Sequence, residues 1–155
     1  MARHQHDPLR DVDRVLVDGS NLLHAVSRAA DGSRAPAQAV VGRLRAALPA
    51  AVRIELVFDG AADRGLRNTR IASGLTVRHS GRRTGDELIL DLARSAGDLV
   101  VTDDRELRQA LAMRGTRTAG LQWLVGRLDR PRLAAPSIGN RRPPRAPRRD
   151  DRDDD

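Results

Sequence analysis

Three short aliphatic segments of the sequence each end in aspartate, and this repeated pattern constrains the fold most strongly. The segments are VLVD, ending at Asp18, LVFD, ending at Asp59, and VVTDD, ending at Asp103 and Asp104. Continuous runs of valine, leucine and isoleucine are typical of strands that are buried on both faces, as in parallel sheets. Residues with helical spacing lie between these segments. The alternation predicts an α/β domain in which helices cover both faces of a mostly parallel sheet.

The predicted elements account for most of the first 130 residues. Strands are predicted over residues 14–17, 53–58, 75–79, 98–102 and 116–119, with 75–79 at an edge. Helices are predicted over residues 21–30, after Pro36, and over 86–96, 104–114 and 121–128. Ser20 is the expected N-cap of the first helix, and Gly115 is expected to end the fourth. Residues 60–74 are expected to form a loop, with room for a short helix.

The two ends of the chain differ in composition from the middle. Residues 1–10 are polar and are expected to be flexible, and residues 11–133 form the predicted domain. Residues 134–155 are rich in Pro, Arg and Asp, with no large apolar residue after Ile138. Such a segment cannot bury enough surface to offset its chain entropy, so we expect it to be disordered. Its arginines could pair with its own acidic block or touch RNA, or the tail could simply aid solubility.

The composition excludes several classes of site. The chain has no cysteine, which rules out disulfides, thiolate zinc sites and a cysteine nucleophile. No apolar run approaches the roughly 20 residues that span a bilayer. The first fourteen residues contain no apolar stretch typical of a secretory signal. We therefore expect a cytoplasmic protein without a membrane partner.

The net charge is +7, and arginine supplies every basic side chain, since the sequence contains no lysine. A GC-rich coding sequence explains this composition, and so does an affinity for phosphates, which arginine binds with two parallel hydrogen bonds. The composition does not decide between the two. Basic charge spread over the surface would in either case favour nucleic acid as a partner.

The aspartates that follow the strands are candidates for a shared site. In open parallel sheets the functional crevice lies beyond the carboxyl ends of the strands. Asp86 and Glu87 open a predicted helix and would face the same edge. Two carboxylates about 4 Å apart repel by roughly 4 kcal/mol at an effective dielectric near 20, so protonation, arginine or a divalent cation must offset the repulsion. Ligands that are all oxygen favour Mg²⁺ or Mn²⁺.

Each of these residues also has an ordinary structural interpretation. An aspartate after a strand often caps a helix, as Asp104 and Asp86 could do. Asn21 could orient a carboxylate, bind a phosphate or simply serve a turn. Asp91 could be a solvated charge or support the site, whereas three further aspartates are expected to be plain surface residues: Asp63, Asp98 and Asp129.

Four blocks of this sequence resemble the YacP-like NYN domain, which belongs to the PIN-like nuclease superfamily. They are VLVDGSNLLHA from residue 15, LVFDGAA from 56, RRTGDELILDLA from 82 and VVTDDRELRQALAMRGTRTAGLQWL from 100. The resemblance covers about residues 14–128. It implies a PIN-like three-layer α/β/α sandwich with predicted strands in the order 3-2-1-4-5. It also implies a ribonuclease that depends on Mg²⁺ or Mn²⁺.

The resemblance also suggests roles for individual residues. It implies that the catalytic acids are Asp18, Asp86 and Asp104. Under the nuclease hypothesis these three would hold metal, with support from Asp59, Glu87 and Asp103. The expected substrate-binding residues are Asn21, Ser20, Thr102, Arg82, Arg83 and Arg105. Two positions depart from the family pattern: Asp103 stands where a small residue is usual, and Glu87 where aspartate is common. The departures bear on activity more than on fold.

Two functions follow as hypotheses. The first is an endoribonuclease acting on mRNA, rRNA or tRNA. The second is a non-catalytic module that binds RNA or the ribosome and keeps the fold. A PIN-type toxin would require a neighbouring antitoxin. A nucleotide-binding protein is disfavoured because DGSN offers one glycine where the dinucleotide fingerprint needs three.

Overall fold

A computed structural model describes residues 7–29, 37–61 and 69–130. In this part of the chain, six strands form one sheet in the order β3-β4-β2-β1-β5-β6. Their bounds are β1 Arg14–Asp18, β2 Arg53–Phe58, β3 Thr69–Ala72, β4 Leu75–His79, β5 Asp98–Val101 and β6 Arg117–Ala119. All neighbouring strands are parallel except β3 and β4, which are antiparallel. The sheet is therefore mostly parallel, as predicted.

Helices cover both faces of the sheet. They are α1 Gly19–Ala29, α2 Ala37–Ala47, α3 Gly85–Leu92, α4 Arg105–Met113 and α5 Leu121–Asp129. The larger core cluster joins one face of the strands to α1, α2 and α5, and a smaller cluster joins the other face to α3 and α4. Alternate residues of one strand enter different clusters: Val15 and Val17 pack in the first, and Leu16 packs in the second. This is the three-layer α/β/α arrangement that the resemblance implied.

The order of the five strands expected from the sequence is confirmed. The loop predicted over residues 60–74 is wrong at its C-terminal end. Residues Thr69–Ala72 form β3, which pairs with β4 and displaces it from the edge of the sheet. Gly74, with φ +70°, makes the tight turn between the two strands. The short segment TRIA has no buried run, and its Ile71 is exposed, so it lacked the apolar signal of a strand.

Several helix limits also differ from the prediction. Ser20 lies inside α1, and the carboxylate of Asp18 takes the capping role by accepting a hydrogen bond from the amide of Asn21. Helix α3 ends at Leu92 instead of residue 96, where the chain turns into β5. Gly115 follows α4 with φ +74°, as expected of a residue that ends a helix.

The predicted ends of the domain are only partly visible. Residues 7–10 form a hydrogen-bonded turn, and Leu9 packs against the larger core. The rest of the predicted flexible start, and the predicted disordered tail over 134–155, lie outside the described residues. Within the described ranges, no helix has both the length and the apolar character needed to cross a membrane.

Candidate active site

Four acidic side chains from four separate segments meet at the carboxyl edge of the sheet. Asp18 ends the central strand β1, Asp59 follows its neighbour β2, and Asp104 follows β5 on the other side. Asp86 lies in the first turn of α3, which packs against β1 and β2. The charges of the other three carboxylates all raise the pKa of Asp86. The structure thus brings these four predicted residues together.

Asp18 is the most buried member, with 6% of its surface exposed. Asn21 holds its carboxylate, since the amide N donates to Oδ1 at 3.3 Å and the side-chain Nδ2 donates to Oδ2 at 2.5 Å. Burial raises the pKa of Asp18, the hydrogen bonds from Asn21 oppose that rise, and the charges of Asp59 and Asp104 add to it. Asn21 therefore orients a carboxylate, one of the roles that its sequence position allowed.

Asp86 carries the largest electrostatic perturbation at this edge. Burial and then the charges of Asp104, Asp18 and Asp59 raise its pKa to about 6. Its carboxylate accepts no hydrogen bond from any residue that the structure describes. Near neutral pH a carboxyl with this pKa is mostly ionised, and the ionised group can bind a cation.

Asp104 caps α4, as the ordinary interpretation allowed. Its Oδ1 accepts a hydrogen bond from the amide of Leu107 at 2.9 Å, and its own amide donates to Oγ1 of the fully buried Thr102 at 3.2 Å. The charge of Asp104 nevertheless raises the pKa of both Asp18 and Asp86. A carboxylate has two oxygens, so capping by Oδ1 leaves Oδ2 available to the site. Thr102 holds Asp104 and is itself buried away from any substrate.

Two predicted metal ligands are engaged elsewhere. Asp103 accepts a hydrogen bond from the amide of Leu121 at 2.9 Å and so caps the start of α5. Glu87 forms a capping box with Thr84, in which each side chain accepts from the other residue's amide at 3.2 Å. Neither residue is among the main causes of the raised pKa of Asp18 or Asp86. Both departures from the family pattern therefore lie at helix starts.

The predicted substrate-binding arginines differ in whether other residues already hold their side chains. Arg83 forms an ion pair with Asp91 and donates to the carbonyl of Glu87, so it is held along α3. Arg82 and Arg105 are exposed, and within the described residues neither has an ion-pair partner. Arg82 lies in the turn before α3, and Arg105 begins α4 beside Asp104. These two are therefore the arginines open to a phosphate.

Sequence reasoning missed two features. Glu106, in the first turn of α4, also raises the pKa of Asp86, and its signal was its position two residues after Asp104. Asp98 was wrongly predicted as a surface residue, whereas it is 2% exposed and paired with Arg14. Nothing local marked that pairing, because Arg14 lies 84 residues away.

The four carboxylates offer only oxygen donors, which suit a hard cation. Oxygen is the donor that Mg²⁺ and Mn²⁺ prefer. Among residues 7–29, 37–61 and 69–130, no three acidic or histidine side chains are arranged to hold one ion by themselves. Mg²⁺ keeps several waters and commonly takes only one or two protein carboxylates together with substrate phosphates. The donor set therefore fits a cation bound through one or two of these acids.

Comparison with known proteins gives one informative likeness. No family model matches the sequence, and no curated protein matches it. A crystal structure of a mutant of Rae1 (YacP) from Bacillus subtilis superposes with a TM-score of 0.57 and 20% sequence identity, over 76% of this chain and 75% of that chain. The chain has the YacP fold. This confirms the PIN-like architecture, and at 20% identity the likeness to YacP shows the fold alone.

Proposed function

We propose that this protein is a metal-dependent endoribonuclease whose site is formed by Asp18, Asp86 and Asp104. The observation that carries the proposal is the convergence of Asp18, Asp59, Asp86 and Asp104 at the carboxyl edge of the sheet, where burial and the other three charges raise the pKa of Asp86 to about 6. Repulsion between neighbouring carboxylates is tolerated in a folded protein where a bound ligand relieves it. A cation is the ligand that a group of carboxylates binds. The sequence resemblance to YacP-like NYN domains points to the same chemistry.

One or two of the carboxylates of Asp18, Asp86 and Asp104, together with waters and substrate phosphates, would hold Mg²⁺ or Mn²⁺. When bound, the cation would supply an activated water and charge stabilisation for phosphodiester hydrolysis. Asn21 fixes the orientation of Asp18, and the buried Thr102 fixes the backbone of Asp104. Asp86 must give up its proton before it can act as a ligand. The exposed Arg82 and Arg105 would contact phosphates on either side of the acids.

The proposed substrate is RNA, either mRNA, rRNA or tRNA, and the ribosome is a proposed partner. The net charge of +7 supports this class of substrate, because phosphates attract basic surfaces without regard to sequence. The proposed location is the cytoplasm, where these RNAs occur.

A cleavage assay tests this proposal. Labelled RNA would be incubated with the purified protein and Mn²⁺, with and without EDTA. We expect the wild type to cleave only without EDTA, and an Asp18→Asn/Asp104→Asn double variant to lose activity. Asp129→Asn, which removes an exposed carboxylate paired with Arg43, is the matched control and should cleave like the wild type. Equal cleavage by the double variant and the wild type would mean that a contaminant is responsible.

A non-catalytic RNA-binding module is the second candidate. The engagement of Asp103 and Glu87 in helix capping favours it, because two of the six predicted metal ligands then serve structure. This function predicts RNA binding that survives EDTA and weakens steeply with salt. Binding that is lost on chelation would argue against it.

A further inference from the structure

Asp59 is joined to both segments that flank it at the rim. Its backbone amide donates to Oγ of Ser20, at the start of α1, at 3.2 Å. Its Oδ1 accepts a hydrogen bond from the amide of Gly85, the first residue of α3. Asp86, the acid with the raised pKa, is the next residue. One residue thus connects the first turn of α1 to the start of the helix that carries Asp86.

The contact with Gly85 is so close that a side chain at this position would displace the carboxylate of Asp59. A Cβ at Gly85 would lie 2.7 Å from Oδ1 of Asp59, a separation that real Cβ atoms essentially never show. The first amides of a helix have no partner within the helix, and here two acceptors serve α3. Thr84 accepts from Glu87 inside the capping box, and Asp59 accepts from Gly85 across the site. The start of α3 is therefore fixed from two directions.

We propose that Asp59 is a positioning residue that holds the start of α3, and with it Asp86, against Asp18, and that it is not a ligand of the cation. This inference rests on the proposed function. It departs from the sequence prediction, which made Asp59 a metal ligand. Asp59 is exposed whereas Asp18 and Asp104 are more buried, so solvent screens the charge of Asp59 more, and one of its two oxygens already accepts from the amide of Gly85.

The two roles require different properties of the side chain. A metal ligand must carry negative charge, whereas a positioning residue needs only an acceptor oxygen at the same place. Asparagine keeps that oxygen and removes the charge, and alanine removes both. Gly85→Ala keeps all the acids and breaks the contact from the other side. The comparison of Asp59→Asn with Asp59→Ala therefore separates the roles.

The experiment measures three quantities on the full chain: exchange of the Gly85 amide by NMR without metal, Mn²⁺ affinity by calorimetry, and RNA cleavage. We expect Asp59→Asn to keep the amide protected and to bind Mn²⁺ within about threefold of the wild type, since the lost charge is a screened one. We expect Asp59→Ala to lose the protection and to weaken Mn²⁺ binding by about 10- to 100-fold, as positioning residues around metal sites do. Gly85→Ala should behave like Asp59→Ala.

Mn²⁺ affinity that is equally weak in Asp59→Asn, Asp59→Ala and Asp86→Asn would overturn the proposal, because charge would then be the property that matters. Circular dichroism would verify folding, and if Gly85→Ala does not fold, the two Asp59 variants decide the question. A wild type that binds no Mn²⁺ would overturn the proposed function separately. Amide exchange, measured without metal, would still test the positioning role, and unchanged protection in Asp59→Ala would overturn it.

Discussion

The guanidinium of Arg14 binds both carboxylate oxygens of Asp98 on the neighbouring strand. Nε donates to Oδ1 at 2.8 Å, and Nη2 donates to Oδ2 at 2.7 Å. Nη2 also donates to the carbonyl of Leu92, the last residue of α3, at 2.6 Å. The pair therefore links β1 and β5 to the end of the helix whose other end carries Asp86. It supports the site from the opposite edge of the sheet.

Asp98→Ala should destabilise the protein strongly. It leaves the partly buried guanidinium of Arg14 with Glu55 as its remaining acidic partner, and it frees the amides of Arg94 and Ser95, which donate to the buried carboxylate of Asp98. Breaking a buried pair from one side costs about 3–5 kcal/mol. Urea unfolding would measure the loss. Asp129→Ala, which removes an exposed ion pair with Arg43, should cost less than about 1 kcal/mol. Equal losses would contradict the assigned importance of the buried pair.

Cation binding should strengthen as the pH rises through about 6. The pKa of Asp86 is raised to about 6 by burial and by neighbouring carboxylates, and only the ionised group can bind a cation. Calorimetric titration with Mn²⁺ at pH 5 and pH 7 would test this. Asp86→Asn should bind weakly at both values, and a wild-type affinity independent of pH would count against the role of Asp86.

Stability without metal should show the opposite dependence on pH. Asp86 has a higher pKa in the folded chain than its ordinary value of 3.8, so the folded state binds more protons between about pH 4 and 6. Its contribution to the free energy of unfolding therefore falls as the pH rises through that interval. Asp86→Asn should be more stable than the wild type at pH 7 and lose that advantage at pH 4. Urea unfolding at the two values is the measurement.

Asp103→Ala should act on stability alone. The change removes the acceptor for the amide of Leu121 at the start of α5 and should cost about 1 kcal/mol. Asp103→Asn keeps an acceptor and should cost less. Mn²⁺ affinity should be unchanged in both variants, because this carboxylate accepts from the amide of Leu121 and is not among the main causes of the raised pKa of Asp18 or Asp86. A marked loss of Mn²⁺ affinity in Asp103→Asn would restore it as a ligand.

Gly19→Ala should disturb the packing beneath the site. The added Cβ would lie 2.9 Å from Cε1 of Phe58 and 2.9 Å from the carbonyl oxygen of Val57, so the start of α1 must shift. Overpacking of this kind costs about 1–3 kcal/mol. Gly42→Ala is the matched control: its Cβ would meet nothing within 4 Å, and alanine inside a helix should stabilise by about 0.5–1 kcal/mol. Thermal unfolding of both variants would decide, and a neutral Gly19→Ala would show that the loop relaxes freely.

The sequence predicted the positions of the strands and the acids that follow them because both are local patterns. A continuous aliphatic run is a buried strand whatever surrounds it, and parallel strands place their carboxyl ends at one edge. Asp18, Asp59 and Asp104 could therefore be assigned to the same rim before any contact was known. The position of Asp86 followed in the same way, from the start of a helix with clear apolar spacing.

Partners that lie far apart in the chain could not be predicted in this way. The burial of Asp98 by Arg14 and the contact of Asp59 with Gly85 join segments whose local sequence carries no mark of the other. The sequence alone determined the sheet and the edge at which its acids lie, because hydrophobic periodicity and the ends of strands are local features of the sequence. Only the tertiary structure decided which of those acids cap helices and which repel one another, because hydrogen bonds and burial depend on neighbours that folding brings together.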